Sequence, residues 1–359
     1  MRSECTKVDF TGQEVYAGID VSKGSWRVAI MVGETLHKRF SQDPSPRALM
    51  EYLRRQFPGA RYHCVYEAGF SGFWAHEELE ALGADCIVVH PADVPTKDKE
   101  RRFKNDPVDA GKLARGLANG DLSGIYVPSR QALEDRSLVR MRSRFVGKQT
   151  RCKNQIKSML QFYGYRVPEE RWERHWSRAY IRWLEGIAMS RPSGGQALGA
   201  LLEELLFLRG AILKLTRQIR ALSQQEAYAV VVQDLCTIPG ISLMAAMILV
   251  MEIVDIRRFR SLDQLSGYVG LVPGESSTGD SEHFTGLTHR RNAALRYVII
   301  EAAWVARRDD PALLHAFNEL AHRMPKNEAI VRIARKLLNR VRYVWKHHEP
   351  YVPAVVRSS

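Results

Sequence analysis

The stretch Val15-Tyr16-Ala17-Gly18-Ile19-Asp20, with the turn Ser22-Lys23-Gly24 and the run Trp26-Arg27-Val28-Ala29-Ile30-Met31-Val32 behind it, decides the fold. Two apolar runs rich in β-branched and aromatic residues, joined by a short polar turn that carries glycine, form a β-hairpin signature. A third run, Leu36 to Phe40, follows Gly33-Glu34, so the chain opens with three strands in antiparallel order.

Outward from there, helical and extended runs alternate up to about Val127. Ser45-Pro46 predicts a helix to about Arg55, with proline at an early helical position. Tyr62 to Glu67 is the fourth strand, Phe73 to Leu82 a helix ended by Gly83, and Cys86-Ile87-Val88-Val89-His90 a fifth strand stopped by Pro91. Strands separated by helices imply parallel pairing through right-handed crossovers. The order βββαβαβα is that of ribonuclease-H-like folds.

After Pro128 the pattern turns helical. Leu138, Met141, Phe145, Cys152, Ile156 and Met159 form one narrow apolar seam, and Leu201, Leu205, Leu208, Ile212, Leu215, Ile219 and Leu222 another. These predict two long helices, set apart by the Pro168 and Pro192-Ser193-Gly194-Gly195 regions, paired as a helical hairpin or coiled coil. Packing on an ordinary core fits the same pattern, and an intermolecular seam would make the protein an oligomer. From about Val230 the chain stays mostly helical, apart from a polar, glycine-bearing insert, Pro273 to Gly286, expected to be an exposed loop.

With 359 residues, 45% hydrophobic and 26% charged, the chain is expected to fold, into about two or three globular domains. Its 53 Lys and Arg against 40 Asp and Glu give a net charge of +13, which favours a polyanion, with nucleic acid foremost. No apolar run of about 18 residues and no signal-peptide layout is present. The expected location is therefore the cytosol, with no membrane partner. Cys5, Cys64, Cys86, Cys152 and Cys236 are odd in number, scattered and never spaced Cys-x-x-Cys, so they suggest neither a disulfide framework nor a zinc site.

Four acids stand out. Asp20 closes the first strand and Glu67 the fourth, beside Ala68-Gly69; taken singly, such acids are commonly turn or capping residues. In Lys104-Asn105-Asp106-Pro107-Val108-Asp109-Ala110, Asp106 is placed to cap a helix that Pro107 opens, and Asp109 lies three residues on, along the same helical face. In a ribonuclease-H-like sheet, strands one and four are central neighbours and the last helix packs near their ends, so all four acids converge. Like charges this close raise one another's pKa unless a cation joins them. Oxygen donors without His or Cys suit Mg²⁺, with Mn²⁺ as the alternative. Such ions serve phosphodiester cleavage.

Two further features belong to the last third. The run Gly274-Glu275-Ser276-Ser277-Thr278-Gly279 offers three consecutive hydroxyls, among which composition selects none as a nucleophile. Thr237-Ile238-Pro239-Gly240-Ile241-Ser242, before an apolar helix, looks like a helix-hairpin-helix turn, whose backbone N–H groups can hold a phosphate. Basic clusters at Arg257-Arg258-Phe259-Arg260, at His289-Arg290-Arg291-Asn292 and from Arg332 to Lys346 supply phosphate-binding charge.

Gly18-Ile19-Asp20-Val21-Ser22-Lys23, Glu67-Ala68-Gly69, Lys104-x-Asp106-x-x-Asp109-Ala110, Ile238-Pro239-Gly240-Ile241 and Gly270-Leu271-Val272-Pro273 with Thr278-Gly279 together resemble insertion-sequence family one-ten, the DEDD transposases related to the Piv site-specific invertases. The resemblance runs in order from about residue 15 to about residue 345. It implies a RuvC-like metal-binding domain over 1–127, a helical coiled-coil linker over 128–229, and a C-terminal transposase domain over 230–359 carrying the helix-hairpin-helix-like turn and a nucleophile loop. It implies that Asp20, Glu67, Asp106 and Asp109 are the metal ligands and that a loop serine attacks the DNA phosphate to form a covalent intermediate. It further implies donor and target DNA as substrates, a structured guide RNA encoded by the element in some members, and a homo-oligomer, dimer or tetramer. The family's serine stands immediately before the loop glycine, where this chain has Thr278 with Ser277 one residue upstream, so both remain candidates.

Three other readings compete. A metal-dependent nuclease or Holliday-junction resolvase would share the acids but use water as nucleophile. Sugar-kinase and actin-like ATPases also begin with a strand ending Gly-x-Asp, yet need later Gly-rich phosphate loops, which this chain lacks. A non-enzymatic nucleic-acid binder would keep the acids as remnants.

Overall fold

A computed structural model describes residues 9–94, 106–167, 176–278 and 281–353. Cys5, Lys104, Asn105, Pro168 and Gly279 lie outside the described residues, as do the side chains of 106–108 and 275–285. The chain divides into two compact units, 1–127 and 128–359.

In the first unit, strands β1 (Glu14–Val21), β2 (Trp26–Val32), β3 (Thr35–Gln42), β4 (Arg61–Glu67) and β5 (Asp85–Val89) form one sheet in the order β3-β2-β1-β4-β5. The first three pair antiparallel, while β1–β4 and β4–β5 pair parallel, as the intervening helices require. Alternation along β1 sends Val15, Ala17 and Ile19 into a core with Leu49, Met50 and Leu53 of α1 (Pro46–Gln56) and Ala75 and Leu79 of α2 (Trp74–Ala81). Ser45 starts α1 by accepting a hydrogen bond from the Ala48 N–H at 3.1 Å.

The opposite face of the sheet is covered by α3 (Asp106–Ala118), whose Ala110 and Ala114 pack on Ala29 and Met31. Small residues on both sides let the helix lie close. A Cβ on Gly18 would fall 2.2 Å from the Ala110 carbonyl oxygen and 2.4 Å from the Ala114 nitrogen.

The second unit opens with α4 (Arg130–Phe162), continues through α5 (Arg178–Glu185) to α6 (Pro192–Leu222), and folds α4 and α6 back to back. Their antiparallel sense follows from two contacts, Cys152 Sγ to the Leu201 carbonyl at 3.2 Å and Arg142 Nε to Thr216 Oγ1 at 2.9 Å. The expected seams are correct in part. Cys152, Ile156, Leu205, Leu208, Ile219 and Leu222 are buried, but Met141 is exposed while Val139, Leu160, Leu198 and Leu202 are buried instead. The seam shifts because α4 serves two cores. Its first half, with Val139, joins the C-terminal core, and its second half packs with Trp176, Tyr180, Ile181 and Leu184. Pro192-Ser193-Gly194-Gly195 is not a break. It is the first turn of α6, where proline needs no N–H partner.

The rest of the unit consists of α7 (Ala229–Cys236), α8 (Leu243–Ile253), α9 (Leu262–Val269), the strands β6 (Pro273–Thr278) and β7 (Ser281–Leu287), α10 (Ala293–Asp309), α11 (Pro311–Arg323) and α12 (Lys326–His347). The apolar α8 lies in the centre of the core, and its one acid, Glu252, is 2% exposed. Arg140 grips that carboxylate with two hydrogen bonds of 2.6 and 2.7 Å, and Asn292 donates a third at 2.9 Å. Burial alone would raise the Glu252 pKa; the Arg140 and Asn292 hydrogen bonds outweigh it and hold the carboxyl below its ordinary value.

The polar insert expected as a loop is a β-hairpin. β6 and β7 pair antiparallel, with Ser277 opposite Glu282 and Thr278 opposite Ser281. Two residues, Gly279-Asp280, join them, and a two-residue Gly-Asp link between extended runs is a hairpin signal that outweighs the loop-like composition. Among the described residues, no helix is long and apolar enough to cross a membrane.

Candidate active site

Three of the four acids border one cavity of about 190 Å³ in the first unit. It is lined by Asp20 at the end of β1, Glu67 at the end of β4 with the turn Ala68 to Ser71, and Asp109 with Leu113 of α3. The parallel register Ile19↔Tyr66 leaves Asp20 and Glu67 one step further on, at adjoining strand ends. The turn after β4 is fixed from both sides, by the Ala68 N–H to the Val89 carbonyl at 2.8 Å and by the buried Tyr66 hydroxyl to the Gly72 carbonyl at 3.0 Å. Asp109 reaches the rim because Gly18 allows α3 to lie against β1. Gly18→Ala is expected to push α3 off the sheet and cost roughly 1–3 kcal/mol of stability through overpacking. A thermal melt reads the loss, and any DNA cleavage should fall with it, since Asp109 moves with the helix.

The electrostatics support a cation. Burial first, and the charge of Asp109 second, raise the Asp20 pKa above its ordinary value, against the opposing pull of Arg27 across the hairpin. A site that disfavours the charge of the Asp20 carboxylate in this way attracts a hard cation. Lys112, at 3.6 Å from Asp109, supplies part of the counter-charge. The sequence reading missed it, although its place three residues after Asp109 on the same helix was legible. Asp106 is the first residue of α3, one turn before Asp109, but its side chain is outside the description. Among the described residues, no three His, Cys, Asp or Glu side chains stand close enough to hold a metal ion. The acids thus surround the cavity with the right oxygen donors without already forming a ligand sphere.

Larger cavities in the second unit carry less chemistry. One of about 560 Å³ is lined by Cys236 to Ser242, Met244, Ile248, Val298, Glu301 and Val305, a mostly apolar wall with one acid. The Pro239-Gly240 turn connects α7 to α8. Gly240 adopts φ +83° and lies so near α10 that a Cβ would fall 2.3 Å from the Ala302 carbonyl oxygen, so this turn is packed into the fold. Much of the basic charge expected to bind phosphate is engaged internally: Arg258 lies over the Phe259 and Tyr268 rings, Arg335 pairs with Asp263, Arg340 with Asp310, and Arg342 donates to the Arg260 carbonyl. Ser277 and Thr278 lie at the end of β6, in the second unit.

A five-stranded mixed sheet with acids at adjoining strand ends, followed by a mostly helical unit, is consistent with the ribonuclease-H-like domain of DEDD transposases, and the comparisons supply the class. The profile of the DEDD domain of IS110 elements, described as "Transposase", matches residues 17–165, and that of the "Transposase IS116/IS110/IS902 family" matches residues 232–318. The chain belongs to the IS110 family of insertion-sequence transposases. It is 31% identical to the transposase y4qE of Sinorhizobium fredii, over 82% of this chain and 72% of that protein. It is 27% identical to a family 20 transposase of Pseudomonas aeruginosa, over 81% and 85%. It is also 27% identical to the transposase for insertion sequence element IS1111A of Coxiella burnetii, over 67% and 64%. Transposases act on DNA, and the DEDD domain implies a divalent metal ion.

Proposed function

We propose that this transposase cuts and rejoins DNA strands by dividing the work between a carboxylate site and a hydroxyl nucleophile. The observation that carries the reading is the gathering of Asp20, Glu67 and Asp109 around one cavity. With Asp106, one turn before Asp109, they would hold Mg²⁺, or Mn²⁺ in its place. The ion's contribution, when bound, is to neutralise charge on the phosphate and on the departing oxygen. Asp20 and Glu67 are set on rigid strand ends, which keeps that charge in place during the reaction.

The attacking group is the hydroxyl of Ser277 or Thr278. Its oxygen bonds to phosphorus, its proton is lost, and the bond from phosphorus to the departing deoxyribose oxygen breaks, that oxygen taking up a proton. The protein is left joined to DNA through a phosphoester, which retains the energy needed to rejoin strands. Chemistry favours Ser277, since threonine is bulkier, whereas the family's register favours Thr278.

The remaining expectations complete the proposal. Residues 128–229 serve as a coiled-coil linker and 230–359 as the transposase domain, the protein acts as a dimer or tetramer on donor and target DNA, and an element-encoded RNA guides it. The test is to express the chain with its flanking element DNA, sequence the RNA that co-purifies, and assay recombination between donor and target plasmids. Recombined product with DNA covalently attached to protein supports the mechanism. Cleaved DNA that never becomes attached contradicts it and favours a nuclease using water.

A further inference from the structure

Helix α4 carries nine Lys and Arg against two Asp and Glu, and both acids, Glu134 and Asp135, lie in its first two turns. Its inward side is consumed by packing, through Cys152, Ile156 and Leu160. Its outward side from Ser143 to Gln161 consists of Ser143, Arg144, Gly147, Lys148, Thr150, Arg151, Asn154, Gln155, Ser158 and Gln161 in helical projection, and every one of these is exposed.

The composition of that face is one-sided. It has three cations one turn apart, no acid, and otherwise only hydroxyl, amide and glycine positions. A helix face that is merely solvated usually mixes both signs of charge. Three cations of α12 differ, for Arg335, Arg340 and Arg342 are held by groups of their own unit. Farther up α4, Arg140 and Arg142 are likewise tied to Glu252 and Thr216. The Lys148 ammonium lies 5.4 Å from the centre of the Phe145 ring on an otherwise exposed side chain, a contact that positions the charge without neutralising it. At the middle of the face Gly147 has open space around it, and a Cβ at that position would meet nothing within 4 Å, so a bulky polymer can approach the helix backbone there.

We propose that this face of α4 is a binding surface for the sugar–phosphate backbone of a duplex nucleic acid, separate from the carboxylate cavity. Arg144, Lys148 and Arg151 contact successive phosphates, and the Ser, Thr, Asn and Gln side chains donate to phosphate and sugar oxygens. The face is about 27 Å long at the helical rise, roughly eight base-pair steps of a duplex. Recognition of this kind is insensitive to sequence and positions the polymer without reading bases. Only the choice of nucleic acid as the polyanion rests on the proposed function.

The test is equilibrium binding of the full-length chain, without divalent ions, to a labelled DNA duplex and to an RNA duplex of the same sequence, over a range of salt. Arg144→Gln/Lys148→Gln/Arg151→Gln is expected to reduce the slope of log K against log salt by roughly 2–3 and to weaken binding between about tenfold and several hundredfold near 0.1 M salt. Lys214→Gln/Arg217→Gln/Arg220→Gln on α6 removes the same charge elsewhere and is expected to do much less. Gly147→Glu, whose Cβ would meet nothing within 4 Å, is expected to weaken binding while leaving the melting temperature unchanged or higher. Loss on the DNA arm alone assigns the face to DNA, loss on the RNA arm alone to RNA, and loss on both to the shared backbone. Equal loss in the two triple variants, or unchanged binding in the α4 triple variant or in Gly147→Glu, overturns the proposal. Cleavage by the Asp20 site plays no part in this readout, so failure of the catalytic reading leaves the binding result standing.

Discussion

Asp20→Asn is expected to reduce DNA strand cleavage by roughly a thousandfold or more, a loss of several kcal/mol of transition-state stabilisation. The same substitution should leave the fold intact. Burial, and after it the charge of Asp109, raise the Asp20 pKa, so the folded state holds that proton more tightly than the unfolded chain does. Stability from this group is therefore greatest at low pH and declines as pH rises from the unfolded pKa through the raised folded one. Above that window an amide removes an unfavourable charge, and without divalent ions the Asn variant should melt no lower than the native chain. Cleavage of a plasmid substrate, run beside thermal melts, checks both statements. A variant that still cleaves at the native rate would show that Asp20 takes no part in the chemistry.

The second large effect concerns the nucleophile. One of Ser277→Ala and Thr278→Ala is expected to abolish the covalent protein–DNA adduct, and the other to leave it nearly unchanged. A single hydroxyl makes the attack, and both candidates belong to β6. The measurement is recovery of labelled DNA bound to denatured protein for each variant. If both variants retain the adduct, neither hydroxyl attacks, and the hairpin has another role.

The first unit was legible almost in full because its signals are local. The Ser22-Lys23-Gly24 turn, Ser45-Pro46 and Pro91 each mark a boundary by backbone chemistry alone, and the strand order follows from the helices between strands. The placement of Asp20, Glu67 and Asp109 around one cavity followed from that order. What the sequence concealed depended on partners distant in the chain. Gly18 reads as an ordinary strand residue until Ala110 and Ala114 are found against it. Val139 replaces Met141 in the core because α4 is shared between two clusters, which one heptad pattern cannot express. The β6–β7 hairpin was missed for a different reason. Serine and threonine clustered near glycine look like a loop by composition, and the pairing that makes them strands lies in the spacing around Gly279-Asp280.

The central claim is that Asp20, Glu67, Asp106 and Asp109 act as one divalent-metal site. Mn²⁺ binding by the native chain, compared with Asp20→Asn, Glu67→Gln and Asp109→Asn, tests it most directly, with electron paramagnetic resonance reporting free ion. The account expects each single substitution to weaken binding by at least about tenfold, since each removes an anionic oxygen donor. Equal Mn²⁺ affinity in the native chain and all three variants would contradict it.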